Sequence, residues 1–194
     1  MIFTTRMLVD LYGKEYGNPK TKIGRLVKSG VYTPIIRGLY ESDPATDGIL
    51  LADVIYNPSY LSFDYALSFH GLIPERVEAY TSATTGKNRS KCYITPFGRY
   101  TYSDVPKAAF FVGLKYHIVG EYTYWMAEPE KALCDKLYKL PPITSLKTME
   151  LVLLDDLRIY EEGLDAMDVF KIAELAPRYG SRNVSLLAKF MQKW

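Results

Sequence analysis

The residues that invite a chemical reading first are three carboxylates in Ala127-Glu128-Pro129-Glu130-Lys131-Ala132-Leu133-Cys134-Asp135. Carboxylates at such spacing can hold Mg²⁺ or divide acid and base roles. Their register argues for another role. Glu128 and Glu130 fall in the first turn of an expected helix, where negative charge complements free N–H groups, and Pro129 suits the first helical position. Asp135 follows Glu130 at about 140° around a helix, so the two do not share a face. A restriction-type nuclease would need a carboxylate followed by Glu-x-Lys on a strand, whereas Lys147, Glu150 and Lys131 are all expected on helices. Ser62 or Ser68 with His70 would supply a nucleophile and a base, yet no oxyanion loop or strained elbow accompanies them. His70 before Gly71 reads instead as a partner for a helix-end carbonyl. Cys92 and Cys134 lie far apart without a CxxC, and His70 and His117 lack metal-ligand spacing, so no disulfide framework, metal or cofactor is expected. Enzymatic activity is not expected.

Binding chemistry is better supported. Residues 1–40 hold Arg6, Lys14, Lys20, Lys22, Arg25, Lys28 and Arg37 against Asp10 and Glu15, a net +5, while the rest of the chain nets −3. A basic head on a mildly acidic body fits nucleic-acid recognition, and solvated surface is the plainer alternative. The expected elements position these charges. A helix capped by Thr4 or Thr5 runs to Tyr12. A second is opened by Asn18-Pro19 and stopped at Gly30, and residues 31–40 form a hairpin turning at Arg37-Gly38. On the second helix Ile23, Leu26 and Val27 share one side, and Thr21, Arg25 and Lys28 the other, with Lys22 flanking. Helix, turn, basic helix and hairpin form the skeleton of a winged helix-turn-helix. It is truncated, because no helix precedes the pair. A packing module without DNA affinity is the alternative, and so small a head is expected to borrow core from the remainder.

The body of the 194-residue chain reads as mixed strand and helix. Helices are expected over Ile49–Tyr56 and, capped by Ser62, Phe63–Phe69. Strands are expected at 79–84, 91–95, 99–103, 110–114, 116–119 and 122–126. A helical tail follows at 128–140, 145–160, 166–179 and 182–194, with Asp165 and Ser181 as caps. Six of the strand tyrosines (Tyr93, Tyr100, Tyr102, Tyr116, Tyr122, Tyr124) suggest either a stacking platform for single-stranded nucleic acid or cross-strand core pairs. Lys87-Asn88-Arg89-Ser90-Lys91 reads as a mobile basic loop. No apolar run reaches membrane-spanning length and the N-terminus lacks a signal-peptide core, so a cytoplasmic location is expected.

Three stretches resemble the AbiEi-type antitoxins. Arg37-Gly38-Leu39-Tyr40 ends the head. Residues 60–72, Tyr-Leu-Ser-Phe-Asp-Tyr-Ala-Leu-Ser-Phe-His-Gly-Leu, are similar to the family's SxxSALxxHGL segment, with Tyr65 standing where the pattern has its second serine. Residues 127–138 are similar to its AxPEKALxDxLY segment. Ser62, Tyr65, His70, Glu130, Lys131 and Asp135 therefore mark the motif positions. The resemblance implies an α+β protein: a winged helix over 1–42 and an antitoxin domain over 43–194. It also implies repression of the chain's own promoter through double-stranded DNA carrying inverted repeats, and antagonism of a nucleotidyltransferase-like toxin without a stable complex. A transcriptional regulator with no toxin, and a module that binds a toxin directly, are the other readings.

Overall fold

Strand β1 (Ile2–Thr4) leads straight into helix α1 (Thr5–Tyr12) in the computed structural model, which describes residues 1–194. The turn between them is set by Thr4, whose Oγ1 accepts from the Met7 N–H at 3.2 Å. Helix α2 (Pro19–Lys28) starts as its sequence predicts: Pro19 occupies the first turn and Asn18 Oδ1 accepts from the Thr21 N–H at 3.2 Å. Gly30, at φ 77°, ends the helical path. Strands β2 (Thr33–Ile36) and β3 (Leu39–Glu41) form the hairpin, and β1 pairs antiparallel with β3, giving a sheet in the order β1-β3-β2. The strand β1 was not expected, since three residues are too few to display a period of two. Leu8, Ile23 and Tyr32 bury together where α1, α2 and this sheet meet, with Phe3, Leu26 and Val27 packed around them. Ile35 and Leu39 face the other way and join the large core of the chain.

A 3₁₀ turn at Gly48–Leu51 continues into the short helix α3 (Ala52–Ile55), so the helix expected over 49–56 is split. Next come β4 (Ser59–Leu61), α4 (Phe63–Phe69), β5 (Tyr80–Thr84), β6 (Lys91–Thr95), β7 (Gly98–Asp104), α5 (Lys107–Phe110), β8 (Leu114–Val119) and β9 (Tyr122–Ala127). Six of these form a second sheet in the order β6-β7-β5-β4-β9-β8, parallel at β5–β7 and β4–β9 and antiparallel elsewhere. The separate strand expected at 110–114 is absent: Phe110 closes the single turn of α5, where it and Ala109 are buried, and Leu114 opens β8. Tyr100 and Tyr102 tie the 48–55 segment to the sheet by donating to the carbonyls of Gly48 and Ala52.

The tail is helical: α6 (Pro129–Lys139), α7 (Leu146–Leu151), α8 (Glu161–Asp165), α9 (Val169–Tyr179) and α10 (Arg182–Met191). The long helix expected over 145–160 ends early. It widens into a π turn at Val152–Asp156, and Arg158 takes a left-handed φ of 54°. The cap of α9 is Asp168 rather than Asp165, its Oδ1 accepting from the N–H groups of Phe170 (2.8 Å) and Lys171 (3.3 Å). Asn183 fastens α10 to the end of α6. Its amide donates to the carbonyls of Leu137, Leu140 and Pro141 and its oxygen accepts from the Ile143 N–H. No helix is long and apolar enough to cross a membrane.

Four of the buried tyrosines (Tyr60, Tyr100, Tyr102 and Tyr179) are the most deeply enclosed, and burial foremost pushes each phenol above its ordinary value near 10. The unfolded chain releases these protons near pH 10 and the folded chain retains them. Stability present below that pH is therefore lost above it, by roughly 1.4 kcal/mol per pH unit for each such tyrosine. Burial lowers Lys131 below its ordinary 10.5, which acts with the opposite sign below that value, but it is one group against four. We expect the melting temperature to fall steeply above about pH 10, with tyrosinate absorbance from the buried set appearing only as the chain unfolds. Smooth titration of all 17 tyrosines in the folded state would contradict this.

Candidate nucleic-acid interface

Helix α2 divides into two faces. Ile23, Leu26 and Val27 turn inward to Leu8 and Tyr32. Thr21, Arg25 and Lys28, spaced four and three residues apart, form one exposed stripe. No salt bridge involves Lys20, Lys22, Arg25, Lys28 or Arg37, and the head's one side-chain ion pair is the exposed Arg6–Asp10 contact at 4.0 Å. The basic groups of α2 are thus held in water rather than neutralised. Lys22 lies beside the stripe, its Nζ 4.7 Å from the centre of the Tyr16 ring. Gly24 also sits on the outer face, with open space where a Cβ would be. A helix-interior glycine costs roughly 0.5–1 kcal/mol relative to alanine, and here no packing explains it. It lowers the helix surface between Thr21, Arg25 and Lys28, a feature that inspection of the charges alone overlooks.

Arg37 belongs to a separate element. It is exposed at the β2–β3 turn, where Gly38 takes φ 86°. The Gly38 carbonyl accepts from the Thr5 N–H at 2.9 Å, fastening the turn to the start of α1.

The second group of sequence candidates is drawn inward. Lys131 and Asp135 are fully buried on α6, with Nζ 3.0 Å from Oδ1. Asp135 Oδ1 also accepts from the Tyr179 hydroxyl (2.6 Å). Its Oδ2 accepts from Tyr60 (2.9 Å) and Ser62 (2.6 Å), so four donors converge on one carboxylate. Lys131 donates in turn to the Tyr179 oxygen at 2.6 Å and lies over the Tyr60 and Tyr179 rings. Burial lowers the Lys131 pKa despite the opposing pull of Asp135. Ser62 occupies the cap position of α4 without capping it, its hydroxyl being spent on Asp135. Phe63 follows at φ 55°, a left-handed conformation costly for a bulky residue. Tyr60 and Tyr179 escape sequence inspection because 75 and 44 residues separate them from Asp135; only the i,i+4 spacing of Lys131 and Asp135 is a local signal.

The remaining candidates do not join this cluster. Glu130 is buried on α6, and its Oε1 accepts from the Asp168 N–H at 2.9 Å, while Glu128 pairs with Lys171 at 3.0 Å. His70 bonds the Ala127 carbonyl at 2.8 Å, at the end of β9 rather than at a helix end. Ser68 donates to the Glu75 carbonyl, so neither serine faces His70 as a nucleophile would. Tyr65 packs on Tyr80, ring centres 5.1 Å apart. Tyr100, Tyr102 and Tyr124 are buried, which leaves no continuous aromatic platform across the strands. The basic run 87–91 is anchored: the Lys87 N–H donates to Asp104, and Arg89 reaches the Tyr56 hydroxyl. No group of three His, Cys, Asp or Glu residues is arranged to hold a metal.

Removing Asp135 would strand a buried ammonium and three hydroxyls. Asp135→Ala is expected to cost about 3–5 kcal/mol in urea unfolding, and the double change Lys131→Met with Asp135→Leu to recover most of it. A loss below about 1 kcal/mol would mean that the cluster is not a structural tie. A scan against protein-family models and a search of curated proteins each found no match to this chain.

Proposed function

We propose that this chain is a sequence-specific DNA-binding protein of the antitoxin type, with α2 entering the major groove. The observation that carries the reading is the exposed stripe Thr21, Arg25 and Lys28, free of carboxylate partners and backed by a buried apolar side. Major-groove recognition asks for such a helix: a rigid inner face, and outward donors able to reach base edges and phosphates. The order β1-α1-α2-β2-β3, with β3 central in its sheet, supports reading this head as a winged helix. Arg37 at the hairpin turn would then meet the backbone or the minor groove.

The antitoxin part of the proposal rests on residues 60–72 and 127–138, whose resemblance to the AbiEi-type motifs was described above. In this reading the protein represses its own promoter at inverted repeats, and the remainder of the chain opposes a nucleotidyltransferase-like toxin without forming a lasting complex. The buried state of Ser62, Lys131 and Asp135 supports a scaffolding role for these motif positions: they shape the surface that acts rather than touching a partner.

Anisotropy titration against the chain's upstream promoter DNA at two salt concentrations tests the head. Arg25→Ala is expected to lower affinity by about 1–3 kcal/mol and to relax sequence preference. Lys28→Ala should weaken binding to all DNA alike and reduce the salt slope by about one. Gly24→Ala should stabilise α2 by roughly 0.5–1 kcal/mol while weakening DNA binding, an opposition that a bystander surface would not show. Unchanged binding in all three variants would overturn the assignment of α2. Co-expression with a neighbouring nucleotidyltransferase-like protein tests the rest: Arg25→Ala should lose repression and keep neutralisation.

A further inference from the structure

A cavity of about 250 Å³ opens where β4 and β9 part. The two strands pair only through Leu61 and Met126, and the space is bordered by Asp53 of α3, Ser59 and Tyr60 of β4, Phe110 and Phe111 around the end of α5, and Trp125 of β9. Its walls are aromatic. The Tyr60 and Phe110 rings lie 5.0 Å apart, Phe111 stands edge-on to Phe110 at 4.8 Å, and Trp125 is braced by Tyr116 at 4.7 Å. Two polar atoms of this lining, Asp53 Oδ1 and Ser59 Oγ, are buried and have no hydrogen-bond partner. Seven such atoms occur in the chain, and two of them border this one space. The lining holds one carboxylate and no basic side chain.

Ring faces carry negative electrostatic potential and a carboxylate accepts hydrogen bonds, so both features call for a cation that donates. The apolar remainder calls for a hydrocarbon body, and the volume limits it to a small molecule. We infer that this crevice between β4 and β9 binds a small free organic ammonium, its N–H groups directed to Asp53 and Ser59 and its hydrocarbon part held against Phe111 and Trp125. Such a site lies on the body of the chain, apart from α2, and is independent of the DNA-binding proposal.

Trp125 reports on the site. In a Trp194→Phe background it is the sole tryptophan, and its fluorescence can be titrated with phenethylammonium, with the uncharged isostere 2-phenylethanol, and with Nα-acetyl-lysine methylamide as a surrogate for a protein side chain. The expected result is saturable binding of phenethylammonium, about tenfold tighter than the alcohol. Asp53→Asn should remove that advantage and leave alcohol binding and the melting temperature undiminished. Phe111→Ala removes a largely exposed ring and should weaken phenethylammonium about threefold, which keeps the test decisive should Asp53→Asn fail to fold. Equal binding of ammonium and alcohol, indifference to both substitutions, or no saturable signal would overturn the inference. Tighter binding of the lysine surrogate than of phenethylammonium would overturn the assignment to a free amine in favour of a protein partner.

Discussion

A lysine and an aspartate placed together out of water lose several kcal/mol of hydration each, and their mutual attraction compensates only when other groups complete the shell. In this chain that completion determines how the layers meet. The four donors to Asp135 come from β4, from the residue that opens α4, from α6 itself and from the last turn of α9. One carboxylate thereby fixes the central sheet against two helices and sets the entry angle of a third. The left-handed backbone at Phe63 follows from the same demand, since Ser62 must turn its hydroxyl inward instead of closing its own helix. Here a polar interaction specifies an arrangement that apolar packing alone would leave degenerate.

The head follows a different logic. Its helices are held by a satellite cluster of three buried residues, while the inner side of its hairpin contributes Ile35 and Leu39 to the main core. The β2–β3 hairpin is therefore secured by the body, whereas α1 and α2 lean on the hairpin. Charge is distributed in the opposite sense: the elements with the least apolar support carry the densest positive charge.

Local chemistry made some of this legible in the sequence and long-range geometry hid the rest. Asn18-Pro19 and Gly30 mark both ends of α2, and its two faces follow from a 3.6-residue period. The α+β character is equally readable, because strand-like and helix-like segments succeed one another in blocks. Strands β1 and β4 were not readable: each is three residues long and depends on partners far away in the chain. Residues 110–114 misled because a short apolar run suits either a strand or a tight helical turn. In the motif regions, Glu130 reads as a first-turn charge and Asp135 as a residue on another face of the same helix. Their burial depends on Asp168, Tyr60 and Tyr179, contacts that no spacing rule foretells. The crevice at Asp53 and Ser59 exists only because two strands diverge, which is a property of the sheet and of no single segment.

The satellite cluster of Leu8, Ile23 and Tyr32 has a thermodynamic corollary. So small an apolar contact protects α1 and α2 weakly, and these helices open at lower free energy than the chain as a whole. Their amides should accordingly exchange with solvent ahead of those in α6 or β9. A ligand that engages only the closed form of α2 would draw this opening equilibrium shut by mass action. Part of its binding energy would then go into ordering the helix pair, lending the association a larger negative heat-capacity change than the docking of rigid surfaces produces.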